Sequence, residues 1–403
     1  MTWTLKKAMY RGYHKIAKRI IAKQEFPIPE LLTGAGCLKN LPELVKEYGV
    51  HKLLIVTDKV LVSLGLLDEL IEGLKEAEID FIIYDGVLPN PTIENVECAK
   101  EMFESNHCEG FIGFGGGSPM DCCKLAAARV ANPNKTIRDM SGYFKVKIPL
   151  APLFAVPTTS GTGSETTVAA LATDTLTHEK LIVGDLKLVP KVAVLDPELT
   201  LGLPSHITAA TGMDALTHAV EAYIGIHGTE FTDEHAEKAT QIIYNYLERA
   251  YVNGEDIEAR EQMALAAYHG GLAFTRASVG YVHAIAHNLG GMYGVPHGLA
   301  NAVVLPYVLE YYGETIEEKL AKLAIVGGIG KQGESHQALA TKFIDQVKVM
   351  NKEMQIPTKI KDLKADDIDI IAERALKEGN PTYPVPKIMS KEDCIAVLRK
   401  LLR

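Results

Sequence analysis

Along the first half of the chain, short unbroken apolar runs alternate with longer stretches in which apolar residues recur at helical spacing. Lys52-Leu-Leu-Ile-Val-Thr57, Asp80-Phe-Ile-Ile-Tyr84 and Gly110-Phe-Ile-Gly-Phe114 are short and rich in β-branched and aromatic residues, so they predict strands. The stretches 59–76, 93–106 and 120–131 predict helices. Leu153-Phe-Ala-Val156 and Val192-Ala-Val-Leu195 predict two further strands. Strands apolar on both faces and separated by helices imply βαβ units and a parallel sheet, hence a Rossmann-like α/β domain. Beyond Asp196-Pro197 the pattern turns helical almost throughout, with alanine-rich stretches at 259–273 and 316–326. We expect a boundary near residue 200, with the α/β domain over 27–200 and an all-α domain over 201–403.

Before Pro27 the pattern differs again. Seven basic residues and no acidic one fall between Met1 and Gln24, while Met9, Tyr13, Ile16 and Ile20 recur at helical spacing. This predicts a basic amphipathic helix in an extension over 1–26. It lacks the apolar core and small-residue cleavage site of a secretory signal. Packing on its own subunit or a neighbour is the expectation, with contact to a membrane surface as the alternative.

Composition narrows the function classes. At 403 residues the chain is too long for one ordinary core and suits two. With 47% hydrophobic and 23% charged residues it has the makings of a large core, not of a disordered chain. A net charge of −9 argues against nucleic acid as a partner and leaves small molecules or a second copy. No apolar run reaches the roughly 18 residues that a membrane span needs. The six cysteines form no CxxC pair, which fits a reducing, cytoplasmic setting.

Candidate chemistry sits at the strand ends. Gly115-Gly-Gly-Ser118-Pro119 lies directly between a strand and a helix, where glycines let backbone N–H groups approach a ligand. Ser118 as N-cap, Pro119 in the first turn and Asp121 as capping-box acid would seat a helix N-terminus for a pyrophosphate. A plain tight turn is the alternative. Pro157-Thr-Thr-Ser-Gly-Thr-Gly-Ser-Glu165 carries five hydroxyls, enough to serve phosphates, a ribose or an amide, or simply to cap the next helix. Asp58 follows the first of these strands, where a carboxylate accepts both ribose hydroxyls of NAD or caps the helix from Lys59.

Asp214 and His218 are four apart in a helical stretch, as are His283 and His287, and His297 stands between Pro296 and Gly298. A carboxylate with two or three imidazoles suits Fe(II), Zn(II) or Ni(II) and not Ca(II) or Mg(II). Histidines satisfied within a core are the alternative. His14, His51, His107, His178, His206, His227, His235, His269 and His336 lie outside these clusters and read as surface or satisfied core residues.

Taken together, these stretches resemble the iron-containing (group III) alcohol dehydrogenase family. The matching runs are Val87-Leu-Pro-Asn-Pro-Thr92, Gly115-Gly-Gly-Ser-Pro-Met-Asp121, Pro157-Thr-Thr-Ser-Gly-Thr162 and Gly212-Met-Asp-Ala-Leu-Thr-His-Ala219. Gly280-Tyr-Val-His-Ala-Ile-Ala-His287, Pro296-His297-Gly298 and Gly379-Asn380-Pro381 complete them. The match runs from about Pro29 to the C-terminus and is most similar to the lactaldehyde reductase (propanediol oxidoreductase) branch.

The resemblance implies a dehydroquinate synthase-like architecture: an NAD-binding domain followed by a helical metal-binding domain. It implies Asp214, His218, His283 and His297 as ligands of Fe(II), with Zn(II) the alternative. His287 would be the catalytic histidine beside metal and nicotinamide. Asp58, Asn90, Gly116, Gly117, Ser118, Asp121, Thr158, Thr159, Thr162 and Lys180 would contact the cofactor, and Phe274 would line the substrate pocket. The implied reaction is hydride transfer between NAD(H) and a small primary alcohol, diol or aldehyde, the alcohol oxygen bound to the metal, in a homodimer. Ala169 replaces a polar amide of that branch, which leaves the particular substrate open. A sugar-phosphate cyclase of the dehydroquinate synthase type would call for a glutamate ligand and a basic cluster. A catalytically silent nucleotide sensor would have lost ligands. Asp214 and the single Lys180 near the loops speak against the first, and the full ligand set against the second.

Overall fold

A computed structural model describes residues 2–177 and 179–403, so Met1 and His178 lie outside the described residues. The chain forms two compact units, Pro27–Leu203 with Gly254–Tyr268, and the residues up to Phe26 with Pro204–Asn253 and His269–Arg403. Helix α1 (Trp3–Ile21) belongs to the second.

The first unit carries strands β1 (Glu30–Thr33), β2 (Lys52–Val56), β3 (Asp80–Tyr84), β4 (Gly110–Gly115), β5 (Gly142–Tyr143), β6 (Leu153–Pro157), β7 (Ala169–Thr173), β8 (Lys180–Gly184) and β9 (Val192–Leu195). Six of them form one parallel sheet in the order β1-β9-β6-β4-β2-β3. Its helices are α2 (Leu41–Glu47), α3 (Lys59–Ser63), α4 (Asp68–Glu76), α5 (Ile93–Ser105), α6 (Gly117–Ala131) and α7 (Ile137–Met140). Successive strand residues point to opposite faces. Leu54 and Val56 join a core with Val96, Phe111 and Leu125, while Leu53 and Ile55 join one with Leu41, Leu70 and Phe114. Both faces are therefore apolar and covered, as the unbroken runs require. From β2 the chain places β3 on one side and β4 on the other, so the strand order reverses between β2 and β4. Ligands of open α/β sheets bind beyond the carboxyl ends of the strands at such a reversal.

Three local expectations need correction. The helix over 59–76 is two helices, because Gly65 turns the chain at φ +71° between α3 and α4. Helix α6 begins at Gly117 with Gly116 as N-cap, so Ser118 lies inside the first turn and caps nothing. Strands β1, β5, β7 and β8 were not expected. β5 and β7 are too short or too rich in small residues to show a strand period, and β7 pairs antiparallel with β8 in a small separate sheet.

The second unit is helical: α8 (Ser205–Ile224), α9 (Glu230–Val252), α10 (Ile257–Ala277), α11 (Tyr281–Tyr293), α12 (His297–Tyr312), α13 (Glu317–Val326), α14 (His336–Glu353), α15 (Ile368–Gly379) and α16 (Lys391–Leu401). The first part of α10 counts with the sheet unit. Helix α8 is buried on nearly every side, from Gly212 through Ile224 without a break, which marks it as central. At the start of α12, a Cβ on Gly298 would meet the Ala210 carbonyl oxygen at 2.3 Å, so α12 approaches α8 as only glycine permits.

Helix α1 packs on its own unit, but by its polar face. Tyr10 and His14 are buried. Arg11 donates to the Val385 and Pro386 carbonyls at 2.7 and 2.6 Å, and Lys18 to that of Ile226 at 2.9 Å. The stripe of Met9, Tyr13, Ile16 and Ile20 faces outward. No described helix is long and apolar enough to cross a membrane.

Candidate metal and cofactor sites

Three helices of the second unit converge on one buried cluster. Helix α8 carries Asp214 and His218 one turn apart, α11 carries His283, and α12 opens with His297. One ligand atom from each lies within 4.8 Å of the other three. Asp214, His218 and His283 are almost fully buried, and Asp214 Oδ1 lies 3.6 Å from His297 Nε2 and 3.9 Å from His283 Nε2. A buried carboxylate among imidazoles, with all four donor atoms converging, could hold a transition metal.

The surroundings of the cluster fit that use. Glu221, two turns beyond Asp214 on α8, accepts from Gly280 N, Val282 N and His283 Nδ1 at 2.9, 2.8 and 2.7 Å. It thus caps the N-terminus of α11 and keeps the His283 proton on Nδ1, leaving Nε2 facing the cluster. Asn301, one turn into α12, is fully buried; its Nδ2 lies 2.6 Å from Asp214 Oδ1 and 3.2 Å from both His283 Nε2 and His297 Nε2. Its Oδ1 is buried without a partner. Sequence reasoning missed both residues. Their only signal is spacing: Glu221 falls seven after Asp214 and Asn301 four after His297.

His287 shares α11 with His283 but stands outside the four-atom cluster. Its ring stacks on His297 at a centroid distance of 5.2 Å. Phe274 stacks on His218 at 4.1 Å and presents an apolar wall beside the cluster.

In the sheet unit, the loops after β2, β4 and β6 hold most of the expected cofactor residues. Gly115 adopts φ +143°, where a Cβ would meet Pro119 and Leu61 within 3 Å, so the β4–α6 turn requires glycine. Gly116 and Gly117 then open α6, whose first N–H groups are available to an anion. Asp58 Oδ1 accepts from Val60 N and Leu61 N at 2.9 and 3.1 Å, so it caps α3. Asn90, Ser118 and Lys180 come together: Lys180 Nζ donates to Asn90 Oδ1 at 2.8 Å, and Asn90 N to Ser118 Oγ at 3.1 Å. Thr158 and Thr159 follow β6, and the Thr159 and Ser160 hydroxyls are buried without a protein partner. Buried hydroxyls of this kind are satisfied by a ligand or water, which fits a nucleotide bound there.

Asp121 does not act as a capping-box acid. It accepts from the Ser164 hydroxyl at 2.8 Å and Leu171 N at 3.0 Å, tying α6 to the hydroxyl-rich loop and to β7, and burial raises its carboxyl pKa. Lys124, unremarked in the sequence, is buried beside it. Lys124 Nζ, with three N–H donors, lies within hydrogen-bond reach of five acceptors: both oxygens of Ser164, both of Thr167 and the Ala169 carbonyl. Burial lowers its pKa to about 8, and burial also lifts nearby Glu165 to about 7. Among the described residues every cysteine is free, and only Cys98 is exposed.

Switch-point loops on a parallel sheet and a buried carboxylate–imidazole cluster on a helical unit are suited to a nucleotide cofactor and a metal ion. Residues 29–197 match the family described as iron-containing alcohol dehydrogenase, and 208–402 match its C-terminal region. Alcohol dehydrogenase 4 of Schizosaccharomyces pombe is 41% identical over 89% of this chain and 86% of its own length. Lactaldehyde reductase of Escherichia coli is 37% identical over 86% of this chain and 92% of its own. A solved structure of 1,3-propanediol oxidoreductase superposes with a TM-score of 0.90 at 37% identity, covering 94% of this chain and 99% of that one. The chain belongs to the iron-containing alcohol dehydrogenase family, and the expected architecture and NAD-dependent, metal-dependent enzyme class hold.

Proposed function

We propose that this protein interconverts small primary alcohols or diols and their aldehydes, with NAD(H) as hydride carrier. The observation that carries the proposal is the convergence of Asp214, His218, His283 and His297 within 4.8 Å. These residues would hold iron, or zinc as the alternative, which when bound supplies a Lewis acid for the substrate oxygen. Glu221 and Asn301 hold the ligands in place. Phe274 gives the substrate an apolar wall, which suits a short uncharged chain better than a sugar phosphate. His287, beside the cluster yet outside it, would carry the hydroxyl proton.

Over the sheet unit, Gly116, Gly117 and Ser118 would receive the pyrophosphate. Thr158, Thr159, Thr162, Asn90 and Lys180 would bind the rest of NAD, and Asp121 would secure the loop that carries the threonines. Asp58 would meet the ribose while its Oδ1 caps α3. The 27–200 and 201–403 segments would then act as the NAD-binding and metal-binding domains. We further propose a cytoplasmic homodimer, with the outward stripe of α1 available to a partner copy or a membrane surface. Sedimentation of full-length protein against an Ile16→Asp, Ile20→Asp variant reads the first possibility and vesicle flotation the second.

The test is anaerobic purification, loading with Fe(II) or Zn(II), and NADH absorbance with ethanol, butanol, 1,2-propanediol and lactaldehyde. Metal-dependent turnover that disappears in Asp214→Ala and His283→Ala is expected. Absence of turnover in metal-loaded protein that binds NAD would overturn the proposal. His287→Ala should lower kcat about 100-fold with metal retained. Metal loss in that variant would contradict its role.

A further inference from the structure

The last turn of α15 brings a carboxylate onto His287. Glu378 Oε1 lies 2.6 Å from His287 Nδ1 and 2.7 Å from the Tyr383 hydroxyl. His287 is 8% exposed and Tyr383 2%, whereas the Glu378 side chain keeps 23% of its surface. The Tyr383 hydroxyl donates to Oε1, and a carboxylate has only acceptor capacity to offer the imidazole. The short contact from His287 is therefore an N–H donation, with the ring proton on Nδ1 and the lone pair on Nε2. Stacking on His297 and an edge contact to His283 at 6.0 Å set the plane of the ring. Tyr383 is held in turn by its backbone N–H on the Gly379 carbonyl at 2.7 Å, which keeps the hydroxyl over Glu378.

Helix α11 thus presents two histidines four apart, each with its own carboxylate. The pair on His283 is sealed, with Glu221 at 1% side-chain exposure, and serves a group that must stay fixed. The pair on His287 borders water through Glu378, as suits a group that exchanges with solvent.

We infer that Glu378 is a positioning residue for the reaction. It holds His287 in the Nδ1–H tautomer and in one orientation, so that Nε2 is the atom offered to the substrate hydroxyl. The inference rests on the reading of His287 as proton carrier. No bond is made or broken at Glu378 itself. Carboxylates behind a working imidazole act in this way elsewhere, and their removal typically lowers activity by about 10–100-fold.

The test uses the full-length, zinc-loaded enzyme labelled with 15N-histidine, the His287 signals being assigned by their loss in His287→Ala. In the wild type His287 is expected as the Nδ1–H tautomer. Glu378→Ala should shift it toward Nε2–H and lower kcat about 10–100-fold. KM for alcohol should stay within about twofold, and zinc content should be unchanged. Glu378→Gln, which keeps an acceptor oxygen at the same reach, should recover most of the tautomer and part of the kcat. A Glu378→Ala enzyme that retains the Nδ1–H signal and wild-type kcat, or one that loses zinc, would sink the inference. Full turnover in His287→Ala would instead remove the proton-carrier reading itself.

Discussion

Spacing drew attention to Asp214, His218, His283 and His287 as two helical pairs and to His297 between proline and glycine, and the family resemblance narrowed these to Asp214, His218, His283 and His297. Their supports were not. Glutamate and asparagine are common on helix surfaces, and nothing local separates Glu221 or Asn301 from a solvated residue. Only the crossing of α8, α11 and α12 turns them inward. Because Glu221 is an acceptor for three donors at once, Glu221→Gln would set an amide N–H₂ against at least one of them. Metal affinity in that variant, read by competition with a chromogenic chelator, should fall about 10–100-fold while the fold persists. Unchanged affinity would mean that His283 needs no partner. The same limit hid Lys124, whose neighbouring acceptors are backbone and hydroxyl oxygens 40 to 45 positions away, from Ser164 to Ala169.

At the level of elements, periodicity predicted the strands that are buried on both faces and the helices that follow them. It failed where an element is set by its neighbours. The break between α3 and α4 depends on one left-handed glycine, and β7 exists because β8 pairs with it. For α1 both the helix and its packing on the same unit agree with expectation, and only the structure shows which face packs: Arg11 and Lys18 seek carbonyls on that unit, and the apolar stripe is left outside. Gly298 shows how one element boundary can carry a site. Gly298→Ala should force α12 away from Ala210, costing roughly 1–3 kcal/mol as an overpacked contact. We expect a lower melting midpoint together with reduced bound metal, because His297 moves with the helix start. Full metal occupancy at an unchanged midpoint would show that α12 can shift without disturbing the cluster.

For the whole molecule, the buried charges of the sheet unit make stability depend on pH. Glu165 keeps its proton to about pH 7 in the folded chain, against 4.5 for the ordinary side chain, because burial opposes its ionisation. A folded pKa raised in this way gives stability that is present below pH 4.5 and lost as pH rises through 7. Glu165→Gln removes that loss. Its apparent melting midpoint should exceed that of the wild type at pH 8 by roughly 2–4 °C or more, and the difference should shrink at pH 5. An equal gap at both pH values would exclude Glu165 as the titrating group. The sequence by itself determined the fold class, because strand and helix periods and glycine turns are local properties of a chain, and its motifs carried the resemblance that implied the family and the reaction class. Tertiary structure alone decided which carboxylate serves which histidine, which face of α1 is covered, and that Asp121 and Lys124 anchor a loop. Those outcomes depend on contacts between residues far apart in sequence, and no local pattern encodes such a distance.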